Sequence, residues 1–236
     1  GTLTIDPVSI NTWLNATPSY TQYYGGQGTL YRTVANPVVV KGDFQFATAN
    51  VDLMLTGAVQ FQGTNRTIIP AQNTLAFWGP LSGTATVTKI GNGSLDFYGD
   101  ATAWTGGLVH QGGGGYIRMT PAVANNRDIT VYQGSNIVIA AMGDNTSLPE
   151  RITTAPNIIT PGNADYSLVV EVLRSDIYPV RATNKTIAIT SPTSFAGQTV
   201  TITNNQGFGI ELAGPITLNG GVHYSLANAT HSSNVV

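Results

Sequence analysis

The segment VTKIGNGSLDFYGDATAWTGG (Val87–Gly107) decides how this chain folds. It contains a lysine, several glycines and an alternation of apolar and polar residues around Leu95 and Phe97. An alternation with a period of two is typical of a strand that has one buried face. We therefore expect a short strand with Leu95 and Phe97 pointing inward, and with Asp96 and Tyr98 pointing outward.

The same unit recurs along the chain: a small or polar residue is followed by two apolar residues with one residue between them. The instances are GDFQF (42–46), GAVQF (57–61), NTLAF (73–77), GSLDF (93–97), GYIRM (115–119) and SNIVI (135–139). A similar rhythm returns between residues 187 and 218. A repeat of about 20 residues that is built from strands favours a solenoid, in which stacked coils continue one apolar interior. The sequence thus predicts an all-β protein, a parallel β-helix.

The alternative is a β-sandwich or jelly roll, which also has many short strands at intervals of about 8–12 residues. The two folds differ in how their strands pair and in where the repeated aromatic residues lie. In the β-helix, Phe46, Phe61, Phe77 and Phe97 are expected in line with one another. In a sandwich, two antiparallel sheets pack face to face and these residues are out of line.

The organisation of the chain follows the rhythm and its interruptions. The stretch SLVVEVL (Ser167–Leu173) lies in a proline-rich interruption, and its β-branched residues favour a strand. The first residues, GTLTIDPVS, resemble the end of a repeat; we expect either a section of a longer protein or a subunit whose terminal strand completes a neighbour. The predicted segments are an N-terminal strand and cap or contact segment (1–35), a repeat block (36–143), an irregular junction (144–185) and a second β block (186–236).

Residues 87–107 resemble the autotransporter-associated β-strand repeat of bacterial secreted proteins. That pattern runs apolar-x-Lys-x-Gly-x-Gly-x-Leu-x-apolar-x-Gly and ends in aromatic-Thr-Gly-Gly. Its positions are filled here by Val87, Lys89, Gly91, Gly93, Leu95, Phe97, Gly99, Trp104, Thr105, Gly106 and Gly107. Trp104 stands where the pattern usually has Tyr, and one extra residue lies in the turn. The resemblance covers roughly residues 36–140 and implies a right-handed parallel β-helix that is exported to the cell surface or beyond, without implying an activity.

In this arrangement the glycines lie at corners of the coil or where successive coils approach closely. Lys89 is expected to be an outward charge near a turn. The glycine runs at 25–28 and 112–115 are expected to be turns, because neither is followed by the Lys-Ser/Thr or the helical pattern of a phosphate-binding loop.

The composition excludes several classes of function. Charged residues make up 9% of the chain, against about 25% in a typical soluble domain. The net charge of −2 gives no electrostatic basis for binding nucleic acid. The absence of cysteine excludes disulfides and thiolate metal sites. No apolar run reaches the ~20 residues of a membrane-spanning helix, so no membrane span is expected.

No group of residues predicts a catalytic, cofactor-binding or metal site. Glycoside hydrolysis requires two carboxylates about 5–9 Å apart, and the nearest acids in sequence are Asp96 and Asp100. We expect both to be surface acids, with Asp96 facing solvent. The histidines are His110, His223 and His231, and we expect them at exposed turns or edges because none has a metal-ligand neighbour.

The irregular N-terminal part carries a group of aromatic residues: Trp13, Tyr20, Tyr23, Tyr24 and Tyr31. They are candidates for a cap over the first coil, for a contact with another subunit or for a glycan-binding surface. A cap is needed because an uncovered coil exposes the hydrogen-bonding groups of its edge strands.

We expect a non-catalytic, extracellular structural protein: a rod-forming or self-assembling component of a surface fibre. Its partners would be copies of itself, joined through terminal strands or by end-to-end stacking. The first alternative is a cell-surface adhesin that binds glycans, and the second is a carbohydrate-active enzyme on a β-helix scaffold.

Overall fold

The computed structural model describes residues 1–5, 13–14, 22–23, 30–46, 51–144, 146–173, 182, 184–204, 208–219 and 223–228. Within these residues the protein is all-β, with one short helix and one 3₁₀ turn at Pro161–Asn163. Most strands belong to three long sheets, and the strands are numbered along the chain.

The first sheet contains β1 (Leu3–Ile5), β5 (Val38–Val40), β8 (Val59–Phe61), β11 (Leu81–Gly83) and β14 (Ala103–Trp104). The second contains β2 (Trp13–Leu14), β6 (Phe44–Phe46), β9 (Asn65–Pro70), β12 (Thr86–Lys89), β15 (Leu108–His110), β17 (Asp128–Val131) and β20 (Asn157–Ile159). The third contains β3 (Gln22–Tyr23), β4 (Leu30–Val34), β7 (Val51–Leu55), β10 (Thr74–Phe77), β13 (Ser94–Phe97), β16 (Ile117–Met119), β18 (Ser135–Ala141), β21 (Tyr166–Val172), β24 (Thr199–Asn204) and β27 (His223–Asn228).

Two smaller sheets lie in the C-terminal half. One contains β19 (Glu150–Thr154), β22 (Lys185–Ile189) and β25 (Phe208–Leu212). The other contains β23 (Thr193–Phe195) and β26 (Ile216–Leu218). Helix α1 (Pro121–Ala124) lies between β16 and β17 in the chain.

From β7 to β15 the chain visits the three long sheets in a fixed cyclic order: third, first, second and third again. We call one such passage a coil. Each strand pairs in parallel with the strand one coil later, so that Phe77 pairs with Phe97, 20 residues further on. In the described part of the chain the only antiparallel pair is β3 with β4. This pairing differs from that of a jelly roll, whose sheets are antiparallel.

The register places apolar side chains of successive coils directly above one another. In the third sheet the aligned and buried residues are Leu55, Phe77, Phe97, Met119 and Ile139. The expectation that Phe46 and Phe61 belong to the same line is wrong, because Phe46 lies in the second sheet and Phe61 in the first. All three strands of a coil share one alternating pattern, so a strand of one sheet resembles a strand of another in sequence. Phe61 still reaches Phe77, with ring centroids 5.4 Å apart, because the sheets face one interior.

Glycines stack at the corner between the third and first sheets. A Cβ on Gly99 would lie 1.8 Å from the carbonyl oxygen of Gly79, and a Cβ on Gly79 would lie 1.9 Å from that of Gly57. Any side chain would therefore separate the coils, since real Cβ atoms do not approach so closely. The expected role of glycine where coils meet is confirmed at this corner.

Helix α1 occupies the place that the next strand of the first sheet would take after β14. Thr120 caps the helix by accepting a hydrogen bond from the Val123 amide at 3.2 Å, and Pro121 occupies its first turn. On the far side, the Thr154 hydroxyl of β19 donates to the Pro121 carbonyl at 2.8 Å. Helix α1 therefore lies as one helical turn between β14, the last strand of the first sheet, and β19, the first strand of the three-stranded sheet.

The third sheet continues through the proline-rich interruption. Strand β21 pairs with β18 in parallel over seven residues, which confirms the strand predicted at SLVVEVL. Ile139 pairs with Val170, so this coil takes 31 residues and is longer than those before it. Among the described residues, no helix has the length and apolar character needed to cross a membrane.

Candidate functional site

The aromatic candidates of the N-terminal part are only partly described. Tyr20 and Tyr24 lie outside the described residues, and of Trp13, Tyr23 and Tyr31 the structure describes the backbone alone. Tyr23 lies in β3 and Tyr31 in β4, so the antiparallel pair at this end of the third sheet contains both. Their roles as a cap, a subunit contact or a glycan site stay predictions.

At the opposite end of the stack, β26 presents apolar side chains to solvent. In the register of β23 with β26, Thr193 pairs with Ile216 and Phe195 pairs with Leu218. Phe195 is buried in the interior, and Leu218 takes the same orientation one coil later. Ile216 and Leu218 are nevertheless 46% and 56% exposed. Within the described residues, β26 pairs on one side only and leaves its other edge free.

Two ionisable residues lie inside the stack, in the second sheet. The aligned inward residues there are Phe44, Ile68, Lys89, His110 and Val131. The expectations of an outward Lys89 and an exposed His110 are wrong, because both side chains are fully buried. The Lys89 ammonium donates to the carbonyls of Gly91 at 2.8 Å and Gly114 at 2.9 Å. The lysine therefore joins the glycine turns of two successive coils.

Burial changes the proton affinity of both groups. It lowers the pKa of Lys89 to about 8. For His110, burial and then repulsion by Lys89 lower the pKa to about 4, and the nearby Gly115 backbone offsets only part of this effect. Neither ring nitrogen of His110 makes a hydrogen bond of good geometry to a described residue. At neutral pH the imidazole is uncharged, and its burial leaves no surface for a substrate to contact.

A second ionic group lies on the outer face of the third sheet. The Tyr98 hydroxyl donates to the Asp96 carboxylate at 2.8 Å, and the Arg118 guanidinium donates to the same oxygen at 3.0 Å. Arg118 also contacts Glu171, with Nε and Oε1 2.6 Å apart. Asp96 points outward as predicted, but the expectation that it faces solvent is wrong, because these neighbours bury it completely.

This outer ionic group connects strands of successive coils, β13, β16 and β21. Arg118 pairs with Val138 of β18 and reaches Glu171 two strands away, which pairs with Ala140. Burial alone would lower the pKa of Arg118, but attraction by Asp96, Tyr98 and Glu171 raises it overall, so the guanidinium stays charged. Asp96 is inaccessible and Asp100 lies in an exposed turn, so they do not form the shared carboxylate pair that hydrolysis requires.

A cleft of about 420 Å³ opens where α1 interrupts the first sheet. Its walls combine carboxylates, amides, hydroxyls and one guanidinium, from the turn before β14 and the segment after α1. The lining residues are Asp100, Ala101, Thr102, Trp104, Thr105, Gly106, Gly107, Ala122, Asn125, Asn126, Arg127 and Asp128.

Arg127 forms the inner wall of this cleft and is only 7% exposed. Its guanidinium donates to the carbonyls of Trp104 at 3.0 Å, of Val123 at 2.8 Å and of Gly106, and it lies 4.0 Å above the Trp104 ring. Trp104 ends the first sheet here and Gly106 follows it in the chain, and α1 provides no strand to pair with β14. Arg127 supplies the missing donors.

The charge of Arg127 has no carboxylate partner within ion-pair distance among the described residues. Burial lowers the pKa of Arg127 to about 10. At the rim, the Asp100 carboxylate accepts from the Thr102 amide at 2.9 Å, which holds the pKa of Asp100 below its usual value. The Asp128 carboxylate accepts from the Asn157 amide at 2.7 Å. No set of three potential metal-ligating side chains occurs in the described part of the chain.

Sequence reasoning missed this cleft, although a signal was present. The segment TPAVANN (Thr120–Asn126) lies between two repeat units and combines a threonine cap, a proline and two helix-forming alanines. It marks the coil in which a helical turn replaces a strand, and Arg127 and Asp128 follow directly.

Comparison with known proteins adds no relative: no family model, no curated protein and no solved structure matches this chain.

Proposed function

We propose that the stacked sheets form a right-handed parallel β-helix, and that the chain is a non-catalytic, rod-forming section of an exported surface fibre. Parallel pairing from coil to coil along three sheets supports the helix. Connections between parallel strands of one sheet are right-handed as a rule, which supports its hand. The resemblance of residues 87–107 to a repeat of exported proteins supports the location.

The exposed apolar side chains of β26 carry this proposal. Leu218 is exposed at a position that the preceding coil fills with the buried Phe195, and Ile216 is exposed at the position of the half-buried Thr193. A further coil would cover both and remove apolar area from water at about 25 cal/mol per Å². It would also pair the edge of β26 that has no partner strand among the described residues, as strands do in β-augmentation. We propose that a second copy of this chain supplies that coil.

Electron microscopy and sedimentation velocity of the purified chain test the proposal. We expect end-to-end particles whose length grows with protein concentration. The double variant Ile216→Lys/Leu218→Lys places two charges on the docking strand and should give monomers with an unchanged circular dichroism spectrum. Met142→Lys is the matched control, because Met142 is also exposed and apolar but lies outside β26. A wild-type chain that stays monomeric at every concentration would contradict the proposal, as would assembly by the double variant.

A further inference from the structure

The cleft beside α1 has no part in stacking coils end to end. We propose that it binds a neutral sugar unit of a glycan. The reasons are the volume of the cleft, the chemistry of its walls and the charges that its walls carry.

The walls select a ligand rich in hydroxyl groups. The volume of about 420 Å³ lies within the roughly 300–1,000 Å³ of small-molecule sites. The rim offers the carboxylates of Asp100 and Asp128 as acceptors, together with the hydroxyls of Thr102 and Thr105. An apolar ligand would leave these groups without partners, at a cost for each one. Sugar hydroxyls both donate and accept, so one sugar ring satisfies such a mixed lining.

The charges exclude ionic ligands of either sign. An anion would meet Asp100, which is ionised at neutral pH, and Asp128 in the same lining. A metal cation would find only these two carboxylates and would approach the guanidinium of Arg127. A neutral polyol suffers neither repulsion, and its hydroxyls form charge-assisted hydrogen bonds to both signs of charge.

Arg127 makes the cleft a preformed site. A guanidinium has five N–H donors, and three of its bonds go to the carbonyls of Trp104, Gly106 and Val123. The N–H groups that remain have no acceptor among the described residues, although the side chain is more than nine-tenths buried. Stacking on the Trp104 ring holds the guanidinium plane in place. The unused donors are therefore fixed before any ligand arrives.

The two asparagines after α1 complete the wall. The side-chain oxygen of Asn125 accepts from the Ala155 amide at 3.1 Å, which leaves its NH₂ group as a donor. The backbone amide of Asn126 donates to the Ala155 carbonyl at 3.0 Å and holds this residue at a φ of 55°. Ala155 lies between β19 and β20, so both asparagines are held against the strand framework.

The test uses the full chain on an array of neutral and uronic-acid oligosaccharides, followed by calorimetry with the oligosaccharides that bind. We expect binding of neutral oligosaccharides and no binding of uronic acids. The double variant Asp100→Asn/Asp128→Asn keeps the shape of both side chains and removes their charge. We expect it to lose about tenfold in affinity for the neutral ligand and to gain binding of uronic acids, since Arg127 then meets an anion without opposition.

The matched control is Glu211→Gln, which removes a half-buried carboxylate that pairs with Arg151 and does not line the cleft. It should bind as the wild type does. The variant Ile216→Lys/Leu218→Lys should also bind normally, so that failure of the fibre proposal and failure of this one are distinguished. An array without neutral hits would overturn the inference, and so would unchanged affinity and selectivity in the double aspartate variant.

Discussion

Two columns of inward side chains run through the same coils and differ in chemistry. The column of the third sheet is apolar throughout: Leu55, Phe77, Phe97, Met119 and Ile139. The column at the end of the second-sheet strands carries two ionisable groups at its centre: Phe44, Ile68, Lys89, His110 and Val131. All of these residues are buried.

The difference does not follow from distance to a corner, because Lys89 and Phe97 each end a strand two residues before a corner glycine, Gly91 or Gly99. Lys89 is the last residue of β12, and the chain turns directly after it at Gly91. Carbonyls of the turns at Gly91 and Gly114 accept from its ammonium. Phe97 instead packs against an aromatic ring and stacks on Phe77, with ring centroids 5.0 Å apart. A polar side chain is tolerated inside where turn carbonyls accept its hydrogen bonds, as they do for Lys89.

Phe97→Ala is expected to have the largest effect. Phe97 is completely buried and contacts Phe77 and Trp104. Its truncation should lower the free energy of unfolding by about 3–5 kcal/mol, through lost burial and the cavity that remains. Urea denaturation measures the loss. Gln60→Ala, at an exposed position of β8, is the control and should change the value by less than about 0.5 kcal/mol. A small loss for Phe97→Ala would mean that the apolar column is not a packed core.

The apolar column was predictable from sequence, and the polar one was not. Alternation places Leu95 and Phe97 on one face, and the structure confirms both as interior residues. The same alternation in TVTK places Lys89 inward with Val87, but residue type argues for the outside. Only the register between coils shows that the glycine turns at 91 and 114 both offer carbonyls to this ammonium.

The burial of Asp96 on the outer face and the cleft beside α1 were also not predictable from the sequence. Asp96 lies on the predicted face, but its burial depends on Arg118 one coil later and on Glu171 beyond it. The cleft depends on α1 replacing a strand of the first sheet, and a four-residue helix gives a weak periodic signal. Long-range contacts of this kind are not encoded in any one segment.

His110 should make stability depend on acid pH. Its pKa is lowered from 6.5 to about 4, so between these values the unfolded chain binds more protons than the folded one. Stability should therefore fall as the pH drops from about 6.5 to 4, by up to about 3 kcal/mol. The variant His110→Leu lacks this contribution and should show a shallower decline in urea titrations across the same range. Parallel declines in the two proteins would contradict a buried, neutral histidine.

Lys89→Met is expected to cost less than Phe97→Ala. Methionine keeps most of the aliphatic volume but leaves the carbonyls of Gly91 and Gly114 without their donor. The loss of these charge-assisted bonds is partly offset, because the buried charge disappears as well. We expect the free energy of unfolding to fall by about 1–3 kcal/mol at pH 7. Lys89→Ala also leaves a cavity, so it should lower the free energy of unfolding more than Lys89→Met does. Equal losses in the two variants would mean that the volume of the Lys89 side chain does not contribute to stability.

The smallest effect is the influence of Lys89 on its neighbour in the column. The positive charge of Lys89 is the second cause of the lowered pKa of His110, after burial. In Lys89→Met the repulsion disappears and burial remains, so the pKa of His110 should rise but stay below 6.5. Titration of the imidazole ring by NMR measures this change, with the Gln60→Ala chain as the reference. An unchanged pKa of His110 would mean that the turn carbonyls already neutralise the effect of the Lys89 charge on the imidazole. The two buried groups would then titrate independently of each other.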